Sequence, residues 1–252
     1  KETFDDYLRD WPATILYGGK RSLTGQIVVG TLDTDESILA VVNRNGETKI
    51  APLDEAGRSA IKDRLYTAGE LLRLNQIEPD EAAVARLRRD IGTRLPGAGR
   101  LIGIHISARK SSQRWPVERY AEVIRAVARR ADAGVLLFWS PGPQTDARHP
   151  GDDEKAQALA LELRSLPLLP VPTLDLSELV AGMSLCDRVI CSDGGAMHLA
   201  AALAKPIVCL FGRSDAARWH PWGVPHALLQ PASRDVRDIG VGDVLDALGR
   251  LG

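Results

Sequence analysis

The stretch RVICSDGGAMHLAAALAKPIVCLF, residues 188–211, decides the fold of this chain. RVICS is the short apolar run of a buried strand, GAMHLAAAL favours helix throughout, and PIVCLF is a second apolar strand. A strand, a helix and a strand in that order give parallel strands with a helix across one face of the sheet. Between the first strand and the helix stand Asp193, Gly194 and Gly195. In open α/β sheets, ligands gather at the carboxyl ends of the strands, where loops run into helix N-termini. Asp193 is expected to cap this helix, with Gly194 and Gly195 in its first turn leaving the free N–H groups uncovered. The helix dipole adds about half a positive charge at that end. Such a turn is a seat for phosphate, and His198 follows one helical turn after Gly194. A tight βα turn with a packed histidine fits the same residues, so this stretch by itself leaves both readings open.

Working outward, the same alternation fills the chain from Arg100 onward, where LIGIHI, PVERYAEVIRAVARR, GVLLFWS, DDEKAQALALELRSL and LSELVAGMSL precede the stretch. Pro116 opens a helix, and Val117, Tyr120, Val123, Ile124 and Val127 follow at helical spacing. Residues 97–252 therefore read as a Rossmann-like α/β domain with a parallel sheet. Residues 141–151, punctuated by PGP and HPG, read as an exposed loop. The pattern is weaker in residues 1–96, with strands expected at 26–32 and 38–42, helices at 56–74 and 81–93, and a linker at LPGAGR. These contain too few βα units for a complete doubly wound domain, so an incomplete Rossmann-like domain is expected there. The chain also begins at Lys1 rather than Met, from which a segment upstream is expected.

A chain of 252 residues, 44% hydrophobic and 26% charged, can bury the core of one large or two modest domains. With 32 Lys+Arg against 33 Asp+Glu, the net charge of -1 argues against nucleic acid or membrane binding by overall charge. No apolar run reaches the roughly 18 to 20 residues of a membrane span, and nothing near Lys1 reads as a secretory signal. A cytoplasmic location is expected. Cys186, Cys191 and Cys209 lie in apolar surroundings without zinc-type spacing, and read as buried free thiols rather than as a disulfide or metal site.

Two further loops belong to the same sheet edge. GIHISARKSSQRWP, residues 103–116, ends a strand in Ser107, Arg109, Lys110, Ser111, Ser112, Gln113 and Arg114. Hydroxyls and guanidinium groups at a strand's carboxyl end suit a diphosphate, although a solvated basic loop has the same composition. FGRSDAARWHPW, residues 211–222, leaves the next strand with Arg213, Ser214, Asp215 and an Arg218-Trp219-His220 group that can reach the same edge. Trp219 and Trp222 fit lid or interface aromatics as well as packing of that loop, and packing is the preferred reading. Tyr17-Gly-Gly-Lys20 has the glycines and basic residues of a phosphate-binding loop, but a hairpin or surface turn is the preferred reading.

Together GIHISARKSSQRWPVERYAEVI, LSELVAGMSLCDRVICSDGGAMHLAAALAKPIVCLFG and RWHPWG resemble the glycosyltransferase family 9 heptosyltransferases, over roughly residues 100–230. The resemblance implies the GT-B architecture, two Rossmann-like α/β domains facing across a cleft, the C-terminal one holding a nucleotide sugar. It implies transfer of heptose from ADP-heptose to a glycan acceptor such as lipopolysaccharide core. It places Asp193, Gly194, Gly195 and His198 at the donor's diphosphate and sugar, Ser107 at the phosphate site, and an acidic residue after GVLLFWS at the ribose. Asp152, Asp153 and Glu154 are candidates for that last role, with Asp153 preferred. Gln113 stands where many members carry a lysine, so Arg109, Lys110 or Arg114 would have to supply the missing positive charge.

The family's N-terminal glycine loop, whose aspartate is its presumed general base, has no match in residues 1–96, and the base is unassigned. An inverting, metal-independent transfer without a cofactor is expected, helix N–H groups and basic side chains absorbing the leaving charge. Any membrane contact is expected to be peripheral, at the inner face of the cytoplasmic membrane. A nucleotide-sugar epimerase of the same architecture and a non-catalytic nucleotide-sugar-binding scaffold stay as alternatives.

Overall fold

The computed structural model describes residues 38–42, 48–52, 78–146, 150–221 and 223–251. The chain separates into two compact units, Lys1–Leu74 and Asn75–Gly252. In the first, strands β1 (Ile38–Val42) and β2 (Thr48–Pro52) pair antiparallel, Ile38 opposite Pro52 and Val42 opposite Thr48. The strand expected at 38–42 is there. Those expected at 26–32, the helix at 56–74 and the Tyr17–Lys20 turn lie outside the described residues.

The second unit opens with helix α1 (Glu81–Arg94), whose N-terminus is capped by the Asp80 carboxylate accepting from the Ala83 N–H at 2.7 Å. Then follow β3 (Arg100–His105), α2 (Val117–Ala128), β4 (Ala133–Trp139), α3 (Asp153–Glu162), β5 (Leu168–Pro172) and α4 (Leu176–Ser184). The chain continues through β6 (Arg188–Ser192), α5 (Gly195–Ala202), β7 (Ile207–Leu210), α6 (Ala216–Trp219), β8 (His226–Leu229) and α7 (Val241–Arg250). Helix α1 packs against α4 and β5. The compact unit therefore starts at Asn75, ahead of the LPGAGR linker at which the sequence divides the domains.

Six strands form one parallel sheet in the order β5-β4-β3-β6-β7-β8. This is the doubly wound arrangement, in which strand order reverses between β3 and β6 and opens a crevice at their carboxyl ends. Every residue of β4, β6 and β7 is buried, which is why each reads as a continuous apolar run instead of an alternating one. The alternating strand-helix pattern thus gives the α/β class expected from the sequence. Helices α2, α3 and α7 join a core with Ile104, Val135, Leu137 and Val208 on one face, and α1, α4 and α5 pack in succession on the other. Close packing dictates glycine at two points, since a Cβ on Gly182 would lie 2.4 Å from Phe138 Cε1 and one on Gly103 would lie 2.9 Å from Cys186 Sγ. All three cysteines are buried and free, as their surroundings imply.

Candidate functional site

The β3 and β6 ends deliver two of the three expected loops to the crevice. At β6, Gly194 is the N-cap residue of α5 and no side chain caps the helix. This corrects the sequence expectation for Asp193, which sits one residue too early to cap. Its carboxylate Oδ2 accepts instead from the Gln113 side-chain amide. The first N–H groups of α5 are left to whatever meets them, because an α-helix has no internal partner for its first turn of donors. Packing does not demand the glycines here. A Cβ on Gly195 would meet nothing within 4 Å, and one on Gly194 would only touch the Ser192 carbonyl at 4.0 Å. Compared with Gly182 and Gly103, this pair faces open space at the positive end of a helix.

Gln113 is the junction of the site. Buried in a single 3-10 turn (Ser111–Gln113), its amide nitrogen donates to Asp193 and to Ser214 Oγ at 3.2 Å, so one side chain ties together the loops after β3, β6 and β7. The same loops touch at Gly212, where a Cβ would fall 2.3 Å from the Ser112 carbonyl oxygen. Gln230 braces the β7 loop from the far side, donating to the Gly212 carbonyl at 2.8 Å and the Ser214 carbonyl at 3.0 Å. Its partners lie 16 to 18 residues back in the chain, and no local pattern marks it.

The basic loop divides by role. Arg109 and Lys110 are exposed at its tip. Arg114 is committed to the protein, donating to the Ala108 carbonyl at 2.8 Å and the Pro150 carbonyl at 3.4 Å, with buried Asp152 at 3.8 Å. Ser107 Oγ accepts from the Ser140 N–H at 2.9 Å, which joins the β3 and β4 ends and leaves its own hydrogen to donate. Asp153 opens α3 and accepts from the Trp139 indole N–H at 2.7 Å and the Gly142 N–H at 2.9 Å. Those two donors, the indole first, hold its carboxyl below the usual carboxylate range. The 141–151 segment is a loop as expected, but a tethered one, with Gly151 at its end and the following Asp152 both buried.

His198 is buried on α5, and its ring lies 6.3 Å from that of Trp219, centroid to centroid, tilted by 58°. Trp219 ends the short helix α6, which Asp215 caps through the Ala217 N–H at 3.0 Å. Trp222 lies outside the described residues. Lys155 of α3 also reaches this edge, and the motif reading did not single it out. Its Nζ donates to the Ile106 carbonyl at 2.9 Å, directly before Ser107. Among the described residues no group of three or more His, Cys, Asp or Glu side chains is arranged to hold a metal ion. No described helix is long and apolar enough to cross a membrane.

Comparison with known proteins returns the family that the motifs resemble. The family model described as glycosyltransferase family 9 (heptosyltransferase) matches residues 43–234. Lipooligosaccharide heptosyltransferase 2 of Haemophilus influenzae is 31% identical over 137 residues, covering 54% of this chain and 38% of that protein. Lipopolysaccharide heptosyltransferase 2 of Escherichia coli is 32% identical over 106 residues, 41% of this chain and 28% of that one. The matches thus span well under half the length of these curated relatives. Among solved structures, a family 9 glycosyl transferase from Veillonella parvula superposes with TM-score 0.59 at 23% identity, covering 70% of this chain and 53% of that one. The E. coli ADP-heptose lps heptosyltransferase II superposes with TM-score 0.56 at 24% identity over the same shares. Both share the fold of the six-stranded unit.

Proposed function

Because this chain belongs to glycosyltransferase family 9, we propose that its six-stranded unit binds a nucleotide-diphospho-sugar donor, of the ADP-heptose kind, for transfer of the sugar to a glycan acceptor such as lipopolysaccharide core. The observation that carries this reading is the uncapped N-terminus of α5 behind a glycine pair that packing does not require. A diphosphate placed there accepts the free N–H groups and meets the positive end of the dipole. Asp193 does not touch the anion directly; it orients Gln113 and keeps the three loops in register. Arg109 and Lys110 supply the charge that Gln113 lacks, since Arg114 is engaged with Ala108, Pro150 and Asp152. Ser107 donates its hydroxyl hydrogen to a phosphate oxygen. Asp153 offers its remaining lone pairs to the ribose, its carboxylate already oriented by Trp139 and Gly142.

In transfer, the sugar's anomeric carbon loses the diphosphate as the acceptor oxygen attacks from the opposite face, which inverts the configuration. The charge that builds on the departing phosphate is greatest in the transition state, so fixed N–H dipoles at α5 lower the barrier without reorganising. The acceptor hydroxyl needs a base, which we place outside the six-stranded unit. The reaction needs no metal in this scheme, because the helix terminus and the basic loop take up the leaving charge.

Titration of the chain with ADP, UDP and GDP in a calorimeter tests the donor site, with Gly195→Asp as the control. A Cβ at Gly195 meets nothing within 4 Å, and a carboxylate in this first turn is favoured by the α5 dipole and repels diphosphate. ADP is expected to bind the unmodified chain and to lose at least about tenfold in affinity in Gly195→Asp, whose thermal midpoint is unchanged or higher. Equal ADP binding by both proteins would rule out the α5 seat.

A further inference from the structure

Lys155 breaks two local rules at once. It sits in the first turn of α3, where a cation opposes the helix dipole, and its side chain is only 17% exposed. Burial, the largest influence, pulls its pKa down from 10.5 to about 8, while Asp152 works in the opposite sense. Placements that oppose local preference are found where a residue has a task.

The surroundings of Lys155 indicate which task. Its Nζ donates to the Ile106 carbonyl at 2.9 Å, lies 4.0 Å from Asp152 Oδ1 and stands 4.8 Å over the Tyr120 ring. Ile106 precedes Ser107 on the β3 loop, and Asp152 precedes Asp153 on the β4–α3 loop. The other charged or titratable groups facing it are Arg114 from the β3 loop, Glu118 and Tyr120 from α2, and His105 from β3. Around the same centre, Tyr120 Oη, Asp152 Oδ2 and Ser192 Oγ are buried without a well-formed hydrogen bond, though the Tyr120 and Ser192 hydroxyls are neighbours. At this buried centre Lys155 joins the end of β3 to the β4–α3 loop, alongside the Arg114 contacts with Pro150 and Asp152 and the Ser107 to Ser140 bond.

We propose that Lys155 is a positioning residue for the donor: by binding the Ile106 carbonyl and standing against Asp152, it holds the β3 and β4–α3 loops as one unit and sets the spacing at which Ser107 and Asp153 meet diphosphate and ribose. The inference rests on the donor-site reading above. Deprotonation of Lys155 removes the charge that holds Asp152, so ADP affinity falls as pH rises through about 8. Arginine at this position keeps its charge throughout that range.

Two measurements on the full chain separate this proposal from the reading it rests on. The first is amide hydrogen exchange without ligand in Lys155→Met and Lys155→Arg. Exchange is expected to rise about tenfold at residues 106–112 and 142–146 in Lys155→Met, with β7 and α7 unchanged and Lys155→Arg close to the unmodified chain. The second is ADP titration between pH 7 and 9. Lys155→Met is expected to weaken binding roughly fivefold to twentyfold at pH 7, and the decline with pH to vanish in Lys155→Arg. Unchanged loop exchange in Lys155→Met overturns the tie between the loops. Raised loop exchange in Lys155→Met together with an unmodified chain that binds no ADP overturns the donor reading instead, and the positioning of the donor with it. A decline with pH that persists in Lys155→Arg assigns the titration to another group and overturns the proposed role of the Lys155 charge.

Discussion

At the scale of single residues, the two side chains that organise the site differ in how far sequence could reveal them. Asp193 and the glycines after it stand out because strand, polar turn and helix are contiguous in the chain. Gln113 reads in sequence only as a missing lysine, because its partners Asp193 and Ser214 lie 80 and 101 residues away. Restoring the cation tests its role. In Gln113→Lys the ammonium meets the buried Asp193 carboxylate and adds charge near the diphosphate, so ADP affinity is expected to increase severalfold, read by calorimetry. Unchanged or weaker binding would mean that the amide's two donor bonds matter more than the charge. His105, buried at the end of β3, makes a prediction about stability. Burial pulls its pKa from 6.5 down to about 4, and the Lys155 charge adds to this while the Ser107 backbone opposes it. Between those two values the unfolded chain carries a proton on this residue and the folded chain does not, so stability falls as pH drops from 6.5 toward 4. The loss attributable to His105 is roughly 1 to 3 kcal/mol. Urea midpoints at pH 7 and pH 4.5 should converge in His105→Gln relative to the unmodified chain.

At the scale of elements, the interior of the sheet was legible and its margins were not. β3, β4, β6 and β7 announce themselves because their central positions, buried on both faces, form apolar runs. β5 contains Pro170 and Pro172, which remove ladder donors and are tolerated because this strand lies at the sheet's edge. β8, at the other edge, has only four residues, exposed or half-buried. Neither carries a pattern that separates it from loop. Helix α7 was not read from the sequence: Val244, Ala247 and Leu248 are buried at helical spacing, but Gly242 and Gly249 weaken its propensity. The glycines of α4 and α5 allow a test of whether packing and function separate as argued. Gly182→Ala drives a methyl group into Phe138 and is expected to destabilise by about 2 to 3 kcal/mol, seen as a lower denaturation midpoint. Gly195→Ala has open space to enter and is expected to leave that midpoint within about 0.5 kcal/mol. If Gly195→Ala proved as costly as Gly182→Ala, the glycine pair would be a packing device and the open seat at α5 would lose its support.

At the scale of the whole molecule, the three loops that form the candidate donor site all spring from one sheet. Residues 75–252 contain that sheet, the helices on both its faces and every described side chain of the site. A unit with its own core is expected to fold alone. Expressed by itself, this segment should unfold in one cooperative transition and bind ADP within about threefold of the full chain. The cysteines supply a probe of that transition which does not depend on ligand. All three are buried, Cys186 and Cys209 with their pKa values raised by burial, Cys186 to about 12. Thiols held in this way react only when the core opens, so labelling by a disulfide reagent should report global unfolding and not local loop motion. The labelling rate of the isolated segment should therefore match that of the full chain at equal denaturant. Faster labelling of the segment would show that the first unit stabilises the core, and lost ADP binding with unchanged labelling would show that it completes the site. Retention of both properties, with no sugar transferred to any acceptor, assigns donor recognition to this sheet and acceptor activation to residues outside it.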